Sequence, residues 1–391
     1  MRLLANKQIL LISPQNWGTL FVSKQHYAIE LAKRGNTVYF LCPSSVPGPG
    51  EKESIVIKPS GTHERLFIIY HKPFFSLKLK FHAMPVFHWL MRIHTRAILK
   101  KINNQIDIIW SFDLGNYFPF RFFDKHAYII FHPVDEPLNQ EAIQSARGAD
   151  IIFSVTNEIL DKYRLFNLPS YYINHGVTDE FLICHDNANR NGQSIHVGFS
   201  GNLRREDIDR KVLLKIVEEN PDVVFDCWGM FENPKGKQGA TEDETNRFIQ
   251  RLKDLPNARL HGMVSPENLA KDIQQVDAFL ICYDVDKDQS KGTNYHKTLE
   301  FISTGKIIIS NNFSAYQDKP DMVMMVKERQ HNENLPGLFK KVISQLDVYN
   351  STALQAKRKE YAADNSYSKQ VDRIEIILSK QMPAGIKKAE R

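Results

Sequence analysis

The chain has 391 residues, 42% of them hydrophobic and 25% charged, with a net charge of +6. This is long for one hydrophobic core and comfortable for two domains. No run approaches eighteen continuous apolar residues, which excludes a membrane-spanning helix by sequence. Cys42, Cys184, Cys227 and Cys282 lie far apart without metal-ligand spacing, so free thiols are expected rather than bridges or a zinc site.

In chain order, MRLLANKQILLISP opens with a short apolar run and no small-residue cleavage site follows. It reads as a first buried strand, QILLIS, in a cytoplasmic protein. The loop PQNWGTLF comes next, then SKQHYAIELAKRG with apolar positions at helical spacing up to Gly35, then the strand TVYFLCP. Residues 71–101 carry seven Lys or Arg, four His and no acid, interleaved with Phe74, Phe75, Phe81, Phe87, Trp89 and Leu90. Such a segment suits an anionic membrane surface or a lipid- and phosphate-bearing acceptor, and equally a buried helix pair with its basic groups in solvent. The Lys and Arg do not recur as a stripe elsewhere, so nucleic acid is not expected as a partner.

Further apolar strands stand at 106–112, 127–131, 149–155 and 170–176. Continuous apolar strands alternating with helices indicate a parallel sheet covered on both faces. The polar piece HDNANRNGQ (185–193) reads as a linker. The rhythm restarts with SIHVGFSGNL and continues through DVVFDCWG, NARLHG, VDAFLICY, KIIISNN and MVMMV. ENPKGKQGATEDET reads as a hydrophilic loop or helix start, and a helical period around 366–378 precedes a polar tail. The expected organisation is α/β throughout: Rossmann-like domains at 1–184 and 194–365, facing each other across a cleft, and a C-terminal helix and tail at 366–391 that can pack back on the first domain. The first strand lacks G-x-G-x-x-G, having Gly18 alone, so a dinucleotide cofactor is disfavoured.

The ordered set SARGADIIFSVTNEI, YYINHGV, VGFSGNL, NPDVVFDCWG, LPNARLHGMVSPENLAKDIQQVDAFLICY and KTLEFISTGK resembles the retaining group-1, family-4-like nucleotide-sugar glycosyltransferases. The likeness is nearest to enzymes of bacterial surface polysaccharide or cell-wall glycan synthesis. It implies the two-domain GT-B fold, an acceptor-binding first domain and a donor-binding second one. The donor would be a UDP- or GDP-sugar and the acceptor a glycan or lipid-linked glycan, with no cofactor. Transfer would occur with retention, the donor's own phosphate oxygen taking the acceptor proton. By the same resemblance, Gly18 lies in the loop that approaches the donor phosphates, Gly201 stands near the diphosphate, and Arg204 or Arg205, with Lys211 as a further choice, supplies a cation. Lys297 matches the lysine at the sugar or phosphate end, and Glu300 the glutamate that binds the ribose. Many relatives carry a second glutamate eight residues earlier, where this chain has Gly292.

The residues themselves give a partly independent reading. A leaving diphosphate needs fixed positive charge or a metal. DVDKD (284–288) is the nearest approach to a metal motif, and fixed cations are the better expectation, so no metal is assigned. Thr293 or Asn294 can cap a helix whose first turn carries Lys297, against the helix dipole's preference there. A cation in that place makes sense if an anion sits beside it, and Glu300 shares its face. The alternative is a Lys–Glu surface pair. His132, with Asp135 and Glu136 after it, and Asp113 follow strands in the first domain and are candidates for catalytic or acceptor contacts. His175 is a candidate near the diphosphate or a turn at the domain boundary. Two other functions fit the same architecture: a two-domain nucleotide-sugar epimerase or isomerase, with His132, Asp113 and Asp135 as acid and base, and a non-catalytic nucleotide- or glycan-binding protein. A monomer is the simplest state.

Overall fold

A computed structural model describes residues 3–18, 21–44, 53–102, 105–183, 194–232, 240–288 and 294–381. The chain forms two units, Met1–His175 with Tyr367–Arg391, and Gly176–Ser366. In the first, an eight-stranded sheet has the order β3-β4-β2-β1-β5-β6-β7-β8. Its strands are β1 (Gln8–Ile12), β2 (Thr37–Leu41), β3 (Ile55–Pro59), β4 (Leu66–His71), β5 (Ile108–Ser111), β6 (Tyr128–Phe131), β7 (Ile151–Ser154) and β8 (Ser170–Tyr172). All neighbours are parallel except β3, which runs antiparallel on β4 at the edge. The central strands are apolar on both faces because helices cover both, which is why they read as unbroken apolar runs. Strands β3 and β4 are additions to the sequence reading. IVIKP is half exposed, as an edge strand with a terminal proline can be.

The second unit holds six parallel strands in the order β11-β10-β9-β12-β13-β14. They are β9 (Ile195–Ser200), β10 (Val223–Trp228), β11 (Ala258–Gly262), β12 (Ala278–Ile281), β13 (Ile307–Ser310) and β14 (Val323–Met325). The hydrophilic stretch at 232–245 enters the helix Ala240–Asp254.

The boundary between the units differs from the one drawn at 184. Val177 and Phe181 are buried in the second unit's core with Leu269, Ile273 and Phe279, so the chain changes unit just after His175. The linker expected at 185–193 lies outside the described residues, as does Cys184. The C-terminal helix Tyr367–Gln381 belongs to the first unit. Tyr367, Val371, Ile374 and Leu378 enter its core, and Arg34 holds Asp372 at 2.8 Å and Glu375 at 3.4 Å. Cys42, Cys227 and Cys282 are buried free thiols, and burial pushes the first two up to about 11 and about 12.

Candidate functional site

In an open parallel sheet the chain leaves a crevice where successive connections diverge to opposite sides, at the carboxyl ends of the strands. The sheet order puts that point between β1 and β5 in the first unit and between β9 and β12 in the second. Both places hold residues singled out from the sequence.

At the first switch point is a cavity of about 360 Å³, bordered by Ser13 after β1, Pro43 after β2, His71 at the end of β4, and Phe112 and Asp113 after β5. Asp113 lines it, but both carboxylate oxygens already serve the backbone: the N–H of Gly115 donates at 2.7 Å and that of Tyr117 at 3.0 Å. Burial raises its pKa, which those two hydrogen bonds and nearby Lys80 partly offset. Asp113 thus shapes the loop at 113–117. His71 shares a 2.9 Å hydrogen bond with His94, and its other ring nitrogen meets the Cys42 carbonyl at 3.0 Å. Burial brings both histidines down to about 4, so the pair is neutral at pH 7.

His132 does not stand where its strand-end position suggested. It is fully buried, stacked on Phe112 at 4.9 Å, and its Nδ1 accepts the Trp110 indole N–H at 3.3 Å. Burial lowers its pKa to about 3, with His175 and Lys24 adding to the effect. The first residue after β6 turns into the aromatic layer under the Ser23–Lys33 helix, where Tyr27 meets it edge-on at 5.1 Å. Asp135 does reach the cavity rim, 69% exposed, and receives Lys24 at 3.4 Å. Glu136 turns away to Lys162 at 3.5 Å. His175 is buried, with its Nδ1 3.4 Å from Ser23 Oγ and its carbonyl accepting from Gln370 at 3.0 Å. Gly18 stands in open space, so nothing in the fold demands a glycine there.

The second unit's switch point is charged. Gly201 follows β9, and a Cβ on it would stand 3.1 Å from the Tyr283 hydroxyl. Its carbonyl oxygen lies where a Cβ on Gly229 would be, 1.8 Å away, and Gly229 has φ +130°, so position 229 admits only glycine. Arg204 turns inward, bonding the Phe231 carbonyl, Asn246 and Glu242. Arg205 stays half exposed, its Nε on Asp207 at 2.7 Å, Asp288 at 3.8 Å, and its guanidinium 5.5 Å from the Tyr283 ring. The hydrogen bonds to Asp207 hold it firmly protonated. Lys211 is exposed and borders a separate crevice with Lys215 and Asp284.

Tyr283 packs on Tyr295 at 4.9 Å, which joins this cluster to the helix Lys297–Ser303. Glu300 is 7% exposed and is bracketed by Lys297 Nζ at 3.2 Å and His296 Nδ1 at 3.5 Å. The Lys–Glu pair therefore exists, but its carboxylate is nearly buried, unlike that of a surface pair. The helix begins without a side-chain cap: His296 holds the cap position, Asn294 precedes it, and Thr293 and Gly292 lie outside the described residues. The sequence pattern did not single out Asp207, Tyr283 or Tyr295, and it marked Asp288 only within DVDKD, not as a partner of Arg205. Only the Arg205–Asp207 spacing gave a local hint, because the other partners come from distant loops. Among the described residues no group of three or more His, Cys, Asp or Glu is placed to hold a metal ion.

No protein-family model matches the chain, and no curated protein sequence matches it. Solved structures do. Sucrose-phosphate synthase of Thermosynechococcus elongatus superposes with a TM-score of 0.72 at 12% identity, over 97% of this chain and 100% of that one. The trehalose-6-phosphate structure from E. coli with bound UDP-2-fluoro glucose gives 0.69 at 10% identity, over 97% and 100%. HepE of Anabaena, in complex with UDP and glucose, gives 0.63 at 12% identity, over 95% and 99%. The chain has the two-domain α/β fold of these proteins, the GT-B architecture, over nearly its whole length.

Proposed function

We propose that the chain is a glycosyltransferase that moves a sugar from a nucleoside-diphosphate sugar to a hydroxyl of a glycan or lipid-linked glycan. The observation that carries this is the nearly buried Glu300 carboxylate, held between Lys297 and His296 on the helix that follows β12. A carboxylate so placed can accept both hydroxyls of a ribose, while Lys297 and Arg205 face the diphosphate. Their present partners, Glu300 and Asp207, keep the cations in place until phosphate oxygens compete for them. The full-length likeness to structures whose names include UDP or a UDP-sugar analogue supports a UDP- or GDP-sugar donor.

In the reaction, the bond between the anomeric carbon and the diphosphate oxygen breaks and a bond from the acceptor oxygen forms on the same face, with retention. The acceptor proton passes to the departing phosphate oxygen. Fixed cations supply the charge, and no metal is required. The first unit holds the acceptor, with Asp135 at the cavity rim as the group nearest to a hydroxyl partner. The protein works at the cytoplasmic face of a bacterial membrane, on surface polysaccharide or cell-wall glycan.

Calorimetry with UDP, GDP, UDP-glucose and GDP-mannose, in EDTA, tests the reading. One nucleoside diphosphate should bind, and Glu300→Ala should weaken it by roughly 10- to 100-fold, the loss of hydrogen bonds to a charged group. Absence of binding by all four, or equal binding by the variant, would overturn it.

A further inference from the structure

We propose that the first-unit cavity receives an alkyl or prenyl chain carried by the acceptor, which makes the acceptor a lipid-linked sugar rather than a phosphorylated free sugar. The word acceptor here rests on the glycosyltransferase reading; the preference of the cavity for a hydrocarbon does not. The walls are mainly apolar, with Pro73, Leu77, Met91, Phe112 and Phe118 among them. The two buried titratable groups inside already have partners. Each oxygen of Asp113 already accepts a backbone N–H, and both nitrogens of the neutral His71 are engaged. Neither needs a ligand, so a guest gains chiefly by removing hydrocarbon from water.

Charge points the same way. Among the described residues, those lining the cavity include Asp113 and Asp135 but no Lys or Arg. The nearest ammonium groups are committed: Lys80 to Glu141 at 2.9 Å and to the Gly115 carbonyl, Lys24 to Asp135. A phosphate entering here would meet two carboxylates and lose its hydration without a cation in return. Asp135, at the rim and in solvent, can instead accept a hydrogen bond from the hydroxyl of a neutral sugar whose chain runs inward.

The segment that builds one wall also supplies an outer face. Pro73, Leu77 and Met91 line the cavity, whereas Phe74, Phe81 and Trp89 of the same segment are 66%, 71% and 63% exposed. A chain that leaves a bilayer met by those aromatics has only the thickness of this segment to cross.

The test measures binding of propyl and hexyl β-glucoside, below micelle formation, to the full chain, with UDP titrated into the same preparation. Each buried methylene should raise affinity about fourfold, so the hexyl compound should bind about sixtyfold tighter than the propyl. Leu77→Trp, which fills the cavity, should flatten that series and leave UDP binding unchanged. If its melting temperature shows that it does not fold, Leu77→Ala replaces it, and the preference should move to longer chains. A flat series in the unaltered protein with UDP bound overturns this inference and spares the reading above. A steep series without binding of UDP, GDP, UDP-glucose or GDP-mannose does the reverse, leaving a hydrocarbon site in a protein of other function. Displacement of hexyl glucoside by glucose 6-phosphate at equal or lower concentration also overturns it.

Discussion

At the switch point of the first sheet the titratable groups, apart from Asp135 at the exposed rim, are buried and held by internal partners, whereas at that of the second they form ion pairs. His71, His94 and His132 are held well below the usual histidine range by burial. At the other site Arg205 pairs with Asp207 and Asp288, and Lys297 with Glu300. One topology therefore carries two kinds of surface chemistry. Neutral groups with internal partners define the shape of a cavity and ask nothing of a guest. Paired ions keep exchangeable partners, which suits a ligand that brings its own charge. The proposed hydrocarbon at one strand end and the proposed diphosphate at the other rest on that difference.

The comparison can be broken most forcefully at Gly229. An alanine there would set its Cβ 1.8 Å from the Gly201 carbonyl oxygen in a backbone with φ +130°. The second unit should lose about 3 kcal/mol or more in urea unfolding, through steric and backbone strain. Gly18→Ala, at the open loop of the first unit, should change stability by less than about 0.5 kcal/mol.

Acid sharpens the contrast from the other side. In the unfolded chain His71 and His94 titrate near 6.5, and in the folded first unit near 4, so the unfolded state binds more protons between those values. Their contribution to stability is complete above about pH 6.5 and is lost as the pH falls toward 4, at about 1.4 kcal/mol per pH unit for each histidine. His132, lowered to about 3, adds to the slope. Unfolding followed by tryptophan fluorescence in a Trp228→Phe background reads the first unit, which holds Trp17, Trp89 and Trp110. A midpoint unchanged between pH 7 and 4.5 would contradict neutral burial of these rings.

The smallest effect on folding belongs to the outer face of the helix Met84–Ile102 and the short helix Leu79–His82 before it. Trp89, Ile93 and Val86 share its exposed face with Arg92, Arg96 and Lys100. Lys80 is buried on Glu141 and Lys101 pairs with Glu53 at 2.6 Å, so the basic surface is narrower than the sequence count. Phe81→Ser with Trp89→Ser should leave the melting temperature within a degree or two. It should reduce sedimentation with phosphatidylserine vesicles by about tenfold or more, because two exposed aromatic groups lose their place in the bilayer. Equal sedimentation would remove the membrane from the account. No helix among the described residues is long and apolar enough to cross a bilayer.

Most of the fold was legible because it rests on local pattern. The apolar runs at 8–13, 106–112, 194–203 and 306–312 contain β1, β5, β9 and β13, and each is buried on both faces. The edge strand β3 escaped, since half-exposed IVIKP resembles a loop in composition, and its neighbour β4 escaped with it. Of the site, the Lys297–Glu300 pair could be read from helical spacing. His132 could not, because whether the residue after a strand turns outward or under a helix depends on what packs above it. Here that is Tyr27, a hundred residues away in sequence.

The sequence by itself determined two α/β units and the charged helix start after β12, because hydrophobic periodicity and i,i+3 spacing act over a few residues. Tertiary structure alone decided that Arg204 is consumed by Glu242 while Arg205 stays half exposed, that Asp113 serves its own loop, and that the cavity beside it has an apolar lining. Those outcomes depend on which distant side chains share a strand end, and burial and pairing are set only once the sheet is assembled.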